Sequence, residues 1–204
     1  MKTGPKFKIC RRLGDNVFGK CQTTKFSISG SPKGAGGKGG GGKPRGRGRA
    51  MSEYGTQLLE KQKARYTYGM SEHQFARYVK AHRQGPDLYQ VLESRLDNAI
   101  FRLGWTTSRA AARQFVTHGH VRVNGRRMNT PSYAVRVGDE LTIDAKSLAT
   151  STFSNLGERL KDHQLPAWLE SEKVGQGKVK TKPVGSEGEL NLNFGAIIDF
   201  YSRV

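Results

Sequence analysis

The side chains between residues 95 and 127 that could do chemistry are mostly cations. Arg95, Arg102, Arg109, Arg113, Arg122, Arg126 and Arg127 fall there, with His118 and His120 among them. Arg109 and Arg113 are spaced i, i+4, so on a helix they share an outward stripe with Thr117 when Ala111, Ala112, Phe115 and Val116 face inward. Gln114 and His118 flank the stripe, and Asn124 stands in a turn beyond it. Thr107 or Ser108 can cap that helix, whose first amides then favour an anion. An arginine fork matches two phosphate oxygens at once. The chemistry implied is the gripping of phosphates, not the breaking of bonds. His118 and His120 have no carboxylate or cysteine nearby in sequence, so RNA contact or plain surface suits them better than acid–base or metal work. Asp97 lies beside an apolar helical stripe, where a structural hydrogen bond is expected of it. A basic face serving solubility alone is the plain alternative. It fits poorly, because the one-signed bias continues in the N-terminal arm.

These residues need elements to hold them. Tyr54, Leu58 and Leu59 suit one face of a helix starting near residue 52. Ser71 and Gln74 form a capping box before a face of Phe75, Tyr78, Val79 and His82. Gly85-Pro86 is expected to stop that helix. One continuous helix is then expected from Asp87 to Gly104, with Leu88, Val91, Leu92, Leu96, Ala99, Ile100 and Leu103 at helical spacing. A shorter helix runs to about Thr117, and Gly119 ends it. The period then changes to two. Val121 and Val123 alternate with His120 and Arg122, and Asn124-Gly125 is a hairpin turn. Tyr133, Val135 and Val137, then Leu141 and Ile143, read as further strands. Leu156 and Leu160 suggest a short helix, broken at Pro166, and the tract from Val174 to Glu189 reads as extended. Asn193 caps a final helix whose apolar face is Phe194, Ile197, Ile198 and Tyr201. That face needs a partner, and the helices of 52–92 are the obvious one.

The expected fold class is therefore α+β. A basic Gly-rich arm spans residues 1–50. A discontinuous helical domain takes in 51–92 and is completed by 190–204. A two-helix, antiparallel-sheet RNA-binding domain covers 93–156, and a mixed, extended connection covers 157–189. The chain carries 35 Lys+Arg against 17 Asp+Glu, a net +18 over 204 residues, which calls for a polyanionic partner. No apolar run is long enough for a membrane span, and Met1 to Arg12 lacks the apolar stretch of a secretory signal. Cys10 and Cys21 are expected to be two free thiols in a reducing cytosol. Gly37, Gly42 and Lys43 imitate a phosphate-cradling loop. Pro44 replaces the magnesium-binding hydroxyl, and no strand precedes it, so a low-complexity arm is the better reading. No cofactor is expected.

RNA is favoured over DNA because no long recognition helix, zinc finger or basic zipper is present. Short Arg-rich helix and hairpin elements suit the backbone and shape of folded RNA. A resemblance carries this further. Ser94-Arg-Leu-Asp-Asn-Ala-Ile-Phe-Arg-Leu-Gly104, Thr107-Ser-Arg-Ala-Ala-Ala-Arg-Gln114 and His118-Gly-His-Val-Arg-Val-Asn-Gly125 resemble the RNA-binding module named after ribosomal protein S-four. Gly4-Pro-Lys-Phe-Lys8 with Arg11-Arg-Leu-Gly14, Ser52-Glu-Tyr-Gly55 with Gln57-Leu-Leu-Glu-Lys-Gln-Lys63, Pro166-Ala-Trp-Leu-Glu170 and Phe200-Tyr-Ser-Arg203 stand in the order of the bacterial S-four family.

The resemblance implies a non-enzymatic structural protein of the 30S ribosomal subunit in the cytoplasm. Such a protein binds the five-helix junction in the 5′ domain of 16S rRNA and nucleates the subunit body. It also implies contact with protein S-five, bearing on decoding accuracy, through Tyr54, Gln57, Asp199, Phe200 and Tyr201. It implies a basic cluster of Lys43, Arg45, Arg47 and Arg49 at the channel through which mRNA enters. Lys6, Lys8, Arg11 and Arg12 join the expected rRNA contacts, and no membrane is involved. Two departures stand out. Gly34 to Gly42 replaces a short Pro-Gly-Gln-His-Gly-type segment, and only Cys10 and Cys21 are present where some members carry four metal-binding cysteines. An RNA-modifying enzyme built on the same module would need a large catalytic domain, and only about 60 residues follow the module. A small accessory factor would not need the arm, the 52–92 helices and the C-terminal helix together.

Overall fold

Serine and asparagine side chains cap the helices, as expected at Ser71 and Asn193, at Ser108 rather than Thr107, and also at Ser52. Ser52, Ser71, Ser108 and Asn193 accept amides from Gly55, Gln74, Ala111 and Ala196 at 3.2, 3.3, 3.2 and 2.9 Å. Each satisfies one amide that a helix start leaves without a partner. A computed structural model describes residues 4–23, 26, 51–150, 153, 155–161, 163–171, 173–184 and 191–203.

The first described element is α1 (Lys6–Leu13), followed by a 3-10 turn (Gly19–Cys21). Cys10 and Cys21 are joined by a disulfide bond, which corrects the expectation of two free thiols. They stand 11 positions apart in the chain, but α1 and the turn fold back on each other around a small cluster with Phe26.

Three helices follow: α2 (Glu53–Thr67), α3 (Glu72–Ala81) and α4 (Gly85–Glu93). The last helix, α9 (Phe194–Ser202), packs on α2, α3 and α4. It adds Phe194 and Ile197 to a core of Phe75, Val79, Leu88, Tyr89 and Leu92. Each such side chain removed from water contributes about 1.5–3 kcal/mol, which is why the apolar face of α9 requires this partner.

The long helix expected from Asp87 to Gly104 is broken in two. Helix α4 starts earlier, at Gly85, with Pro86 in its first turn rather than ending the helix before it. It stops at Glu93, and α5 spans Leu96–Arg102. Arg95 between them is extended and bridges Ala134. The amides of Leu96 and Val135 donate to Tyr133 and Ser94, both at 2.8 Å. These strand-like bonds replace the helical ones that would have run through Ser94–Arg95. Tyr133, Val135 and Val137 accordingly form no strand of their own, and Val137 is exposed.

Helix α6 (Arg109–Thr117) leads into β1 (Val121–Val123), β2 (Arg126–Met128) and β3 (Glu140–Ile143). Asn124 and Gly125 make the β1–β2 turn at φ 50° and 75°. Short helices α7 (Ala145–Leu148) and α8 (Leu156–Lys161) come next, followed by β4 (Leu169–Glu170) and β5 (Gln176–Val179). The five strands form one antiparallel sheet in the order β2-β1-β3-β5-β4. The tract read as an extended connection thus contributes two strands. Helices α5, α6 and α8 and the sheet enclose a core that includes Leu96, Ile100, Leu103, Trp105, Val116, Leu141 and Trp168. No helix among the described residues is long and apolar enough to cross a membrane.

Candidate nucleic-acid interface

Ser108 starts α6, and burial of Ala112 and Val116 fixes its rotation. Arg109 and Arg113 do lie together on the opposite side. They turn, however, toward the loop that ends α2, with 17% of the Arg109 side chain and 33% of the Arg113 side chain left exposed. Arg109 Nε donates to Asn98 Oδ1 at 2.6 Å, and one of its NH groups lies 3.9 Å from Glu93. Its guanidinium stacks over Phe101 at 4.5 Å. Arg113 donates to the Gly69 carbonyl at 2.7 Å and lies 3.7 Å from Asp97.

Arg95 is only 1% exposed. It grips Asp97 with two parallel bonds of 3.0 and 2.7 Å and donates to the Tyr78 hydroxyl at 3.0 Å. Arg102 donates to Glu93 at 2.7 Å, and the Tyr68 hydroxyl donates to the other Glu93 oxygen at 2.9 Å. Four arginines therefore meet two buried carboxylates where the helical part meets the sheet part.

Electrostatics follow this packing. Burial, reinforced by Glu93, pushes the Tyr68 phenol well above its ordinary value. Burial pulls Arg109 down despite the opposing pull of Glu93. Burial acts the same way on Arg95 and Arg102, but hydrogen bonds and charge from Asp97 and Glu93 outweigh it and raise both. The expectation that Arg109 and Arg113 run outward in a stripe with Thr117, joined by Arg95 and Arg102 in one basic face, is corrected: Glu93 and Asp97 hold all four arginines, with Arg113 left one-third exposed. Glu93 and Asp97 precede the stripe in the chain, and the backbone break at Arg95 turns both onto it.

The other expected contacts divide. Arg122 is half exposed and pairs with Asp144 at 2.6 Å, which holds that carboxyl below its ordinary range. Arg127 folds back on the carbonyls of Gly119 and His118 at 3.0 and 2.8 Å, closing the C-terminus of α6. Asn124 is exposed, but its side-chain amide bonds Asp139 and Glu140 to build the turn. His120 is half-buried against Phe115 and Phe153, with Nδ1 2.8 Å from Ser147 Oγ. Ser108 is the cap, whereas Thr107, Gln114, His118 and Arg126 face solvent.

On α1, Lys8, Arg11 and Arg12 are exposed and Lys6 is half-buried, and none of the four makes an ion pair among the described residues. Three further cations were not singled out from the sequence. Arg77, Lys80 and Arg83 are exposed and, among the described residues, carry no ion pair. A signal for two of them was available. If Phe75, Tyr78 and Val79 are the inner face of α3, positions 77 and 80 must be outer. Gln74, Arg77, Tyr78 and His82 line a cleft of about 410 Å³ between α3 and the turn at Ser132.

Two expected groups change character. Tyr54 and Asp199 are exposed, but Gln57 and Phe200 are buried in the α2–α9 contact, which corrects their assignment to a partner-protein surface. Tyr201 is half-buried and donates to Glu72 at 2.6 Å, and Lys61 sits 4.8 Å over the Phe200 ring. Lys43, Arg45, Arg47 and Arg49, like the glycine tract before them, lie outside the described residues. A structural metal of the four-cysteine kind does not fit. The two sulfurs are bonded to each other, and no group of three or more His, Cys, Asp or Glu residues among those described could hold an ion.

Residues 1–93 match the family described as "Ribosomal protein S4/S9 N-terminal domain", and residues 94–141 match the "S4 domain". The small ribosomal subunit protein uS4 of Roseiflexus castenholzii is 44% identical over 208 residues, covering 98% of both chains. Those of Dehalococcoides mccartyi and Natranaerobius thermophilus are 40% and 41% identical, covering 99% and 98% of each chain. The chain belongs to the uS4 family. It is a ribosomal protein with an RNA-binding S4 domain, its place is the ribosome, and it is not an enzyme. The S4 match covers α5, α6, β1, β2 and the start of β3, together with the arginines that close the seam. Among the described residues, exposed cations without an ion pair in this uS4 protein include Lys8, Arg11 and Arg12 on α1, Arg77 and Lys80 on α3, Arg83 just after it and Arg126 at the hairpin, with Lys20, Arg136, Lys161, Lys173 and Lys182 elsewhere on the surface.

Proposed function

We propose that this uS4 protein binds 16S rRNA at the five-helix junction of the 5′ domain early in assembly and nucleates the body of the small subunit. The observation that carries this reading is the set of outward cations without acidic partners. Among the described residues they include Lys8, Arg11 and Arg12 on α1, Arg77, Lys80 and Arg83 around α3, and Arg126 on the hairpin. Their separation suits a folded RNA that touches the protein at several places, and each neutralised phosphate releases counterions. The buried arginines have a different role. They hold the S4 domain in one orientation to the helical part, so that the separate cationic patches present a fixed pattern.

The resemblance to bacterial family members supports two finer roles. Contact with ribosomal protein S-five would use the exposed Tyr54 and Asp199. The Lys43–Arg49 cluster would lie along the path by which mRNA enters. Nuclease footprinting of 16S rRNA with the pure protein tests the main reading. Protection is expected at the 5′-domain junction. Protection confined to another domain, or none, would overturn it.

A further inference from the structure

Residues 5–23 and Phe26 form a unit with a very small core. Cys10, Cys21 and Phe26 are buried, and Phe18 packs against them. Asp15 pairs with Lys63 at 2.9 Å, and Phe18 meets the Tyr66 ring at 5.7 Å, which ties the unit to α2. A cleft of about 410 Å³ opens on its outer side. One wall is α1 with its leading residue: Pro5, Phe7, Lys8 and Arg11. The other follows the 3-10 turn: Thr23 and Phe26. Phe7 is 45% exposed, although its ring lies 5.1 Å from that of Phe26. Arg11 sits 5.4 Å from the centre of the Phe26 ring. An open aromatic face beside two cations is the combination that holds an unpaired nucleotide, with the base stacked on the ring and the phosphate on the cations.

The two walls are separate pieces of chain, and so few buried apolar groups cannot hold them together unaided. The bond between Cys10 and Cys21 joins them. We propose that this cleft binds an unstacked nucleotide of the RNA, and that the Cys10–Cys21 pair is a redox-responsive clamp on its walls. The inference rests on the reading of this protein as an rRNA binder and specifies one contact within it.

Cytosolic thiols are kept reduced, so a disulfide in such a protein responds to redox conditions. Glutathione disulfide is a sufficient oxidant. One cysteine thiolate attacks a glutathione sulfur, the glutathione S–S bond breaks, and one glutathione thiolate leaves. The second cysteine thiolate then attacks the protein sulfur of the mixed disulfide and expels the second glutathione thiolate. Two electrons pass from protein to glutathione, and the departing thiolates take up the two thiol protons. Both protein sulfurs are buried, so exchange requires the walls to part, and a bound nucleotide resists that. RNA must therefore shift the pair toward the disulfide by the same factor by which the disulfide favours RNA.

The test measures Kd of the full-length protein for a 16S rRNA 5′-domain transcript, in oxidised and in reduced glutathione buffer, for the native protein and for Phe7→Ala. Phe7 is half exposed, so the substitution empties no core, and the native protein in two redox states needs no substitution at all. Loss of one base–ring stack is expected to weaken binding by roughly fivefold or more. Reduction of the native protein should give a similar loss, and reduction of Phe7→Ala should add little, since both act through one cleft. Unchanged Kd in Phe7→Ala overturns the nucleotide contact. Equal Kd for the oxidised and reduced native protein overturns the clamp. Failure of every form to bind the transcript overturns the broader reading and this one with it, an outcome distinct from the other two.

Discussion

Glu93→Gln isolates the buried seam in a single isosteric change. Glu93 is fully buried, and its two oxygens accept from Tyr68 at 2.9 Å and Arg102 at 2.7 Å, with Arg109 at 3.9 Å. Glutamine keeps the shape but removes the charge and turns one acceptor into a donor. A charged hydrogen bond is worth about 1.5–3 kcal/mol, and breaking a buried pair so that its partner stays charged costs about 3–5 kcal/mol. The guanidiniums of Arg102 and Arg109 would be left against an amide, so the expected loss is about 3–5 kcal/mol. The control is Glu53→Gln, whose partner Arg203 lies 2.8 Å away with both side chains more than half exposed. That pair should change stability by less than about 1 kcal/mol. Urea unfolding followed by circular dichroism, with both variants and the native protein at pH 7, reads the difference. If Glu93→Gln unfolds at the same urea concentration as Glu53→Gln, the reasoning that charge burial makes this seam is wrong.

Other outcomes follow from the same geometry. Arg109→Ala with Arg113→Ala should lower the unfolding midpoint markedly, because both are structural; a stripe that only met RNA would leave the midpoint unchanged. Arg77→Ala with Lys80→Ala should leave the midpoint unchanged and reduce the slope of log affinity against log salt by about 1.4–1.8, the share of two phosphate contacts. Burial would raise the Glu72 carboxyl, but hydrogen bonds from Lys61 and Tyr201 outweigh it and hold it below its usual 4.5. Its folded value being depressed, its contribution is present above the unfolded value and lost as pH falls through the folded one. The stability gap between the native protein and Glu72→Gln should therefore close on acidification. Gly119→Ala should destabilise by about 1–2 kcal/mol, since its φ is +72° and the new methyl would meet Arg127 Nε at 2.1 Å. Thermal melts measure that loss.

Much of this architecture is written locally. The caps Ser52, Ser71, Ser108 and Asn193, the Asn124-Gly125 turn and the apolar stripe of α9 depend on near neighbours or on simple periodicity, and a sequence displays both. The break at Arg95 does not, because it is made by Ala134, which lies 39 residues further along the chain. The site was legible in kind but not in place. Net charge and arginine content point to phosphates, whereas the free cations could be located only after knowing which arginines Glu93 and Asp97 neutralise. A helical stripe reveals which residues share a side, and what that side meets is a tertiary fact. Cys10 and Cys21 illustrate the same limit, since spacing alone did not bring them together.

The seam between the helical part and the S4 domain has a consequence for how such proteins change over generations. Tyr68, Tyr78 and Glu93 come from one side, while Arg95, Asp97, Arg102, Arg109 and Arg113 come from the other. Directional polar bonds tolerate little mismatch, unlike an oily joint that can slide. A hybrid taking its first 93 residues from one relative and the remainder from another should hold its shape only when these complementary groups are inherited as a set, so the two pieces are not freely exchangeable parts.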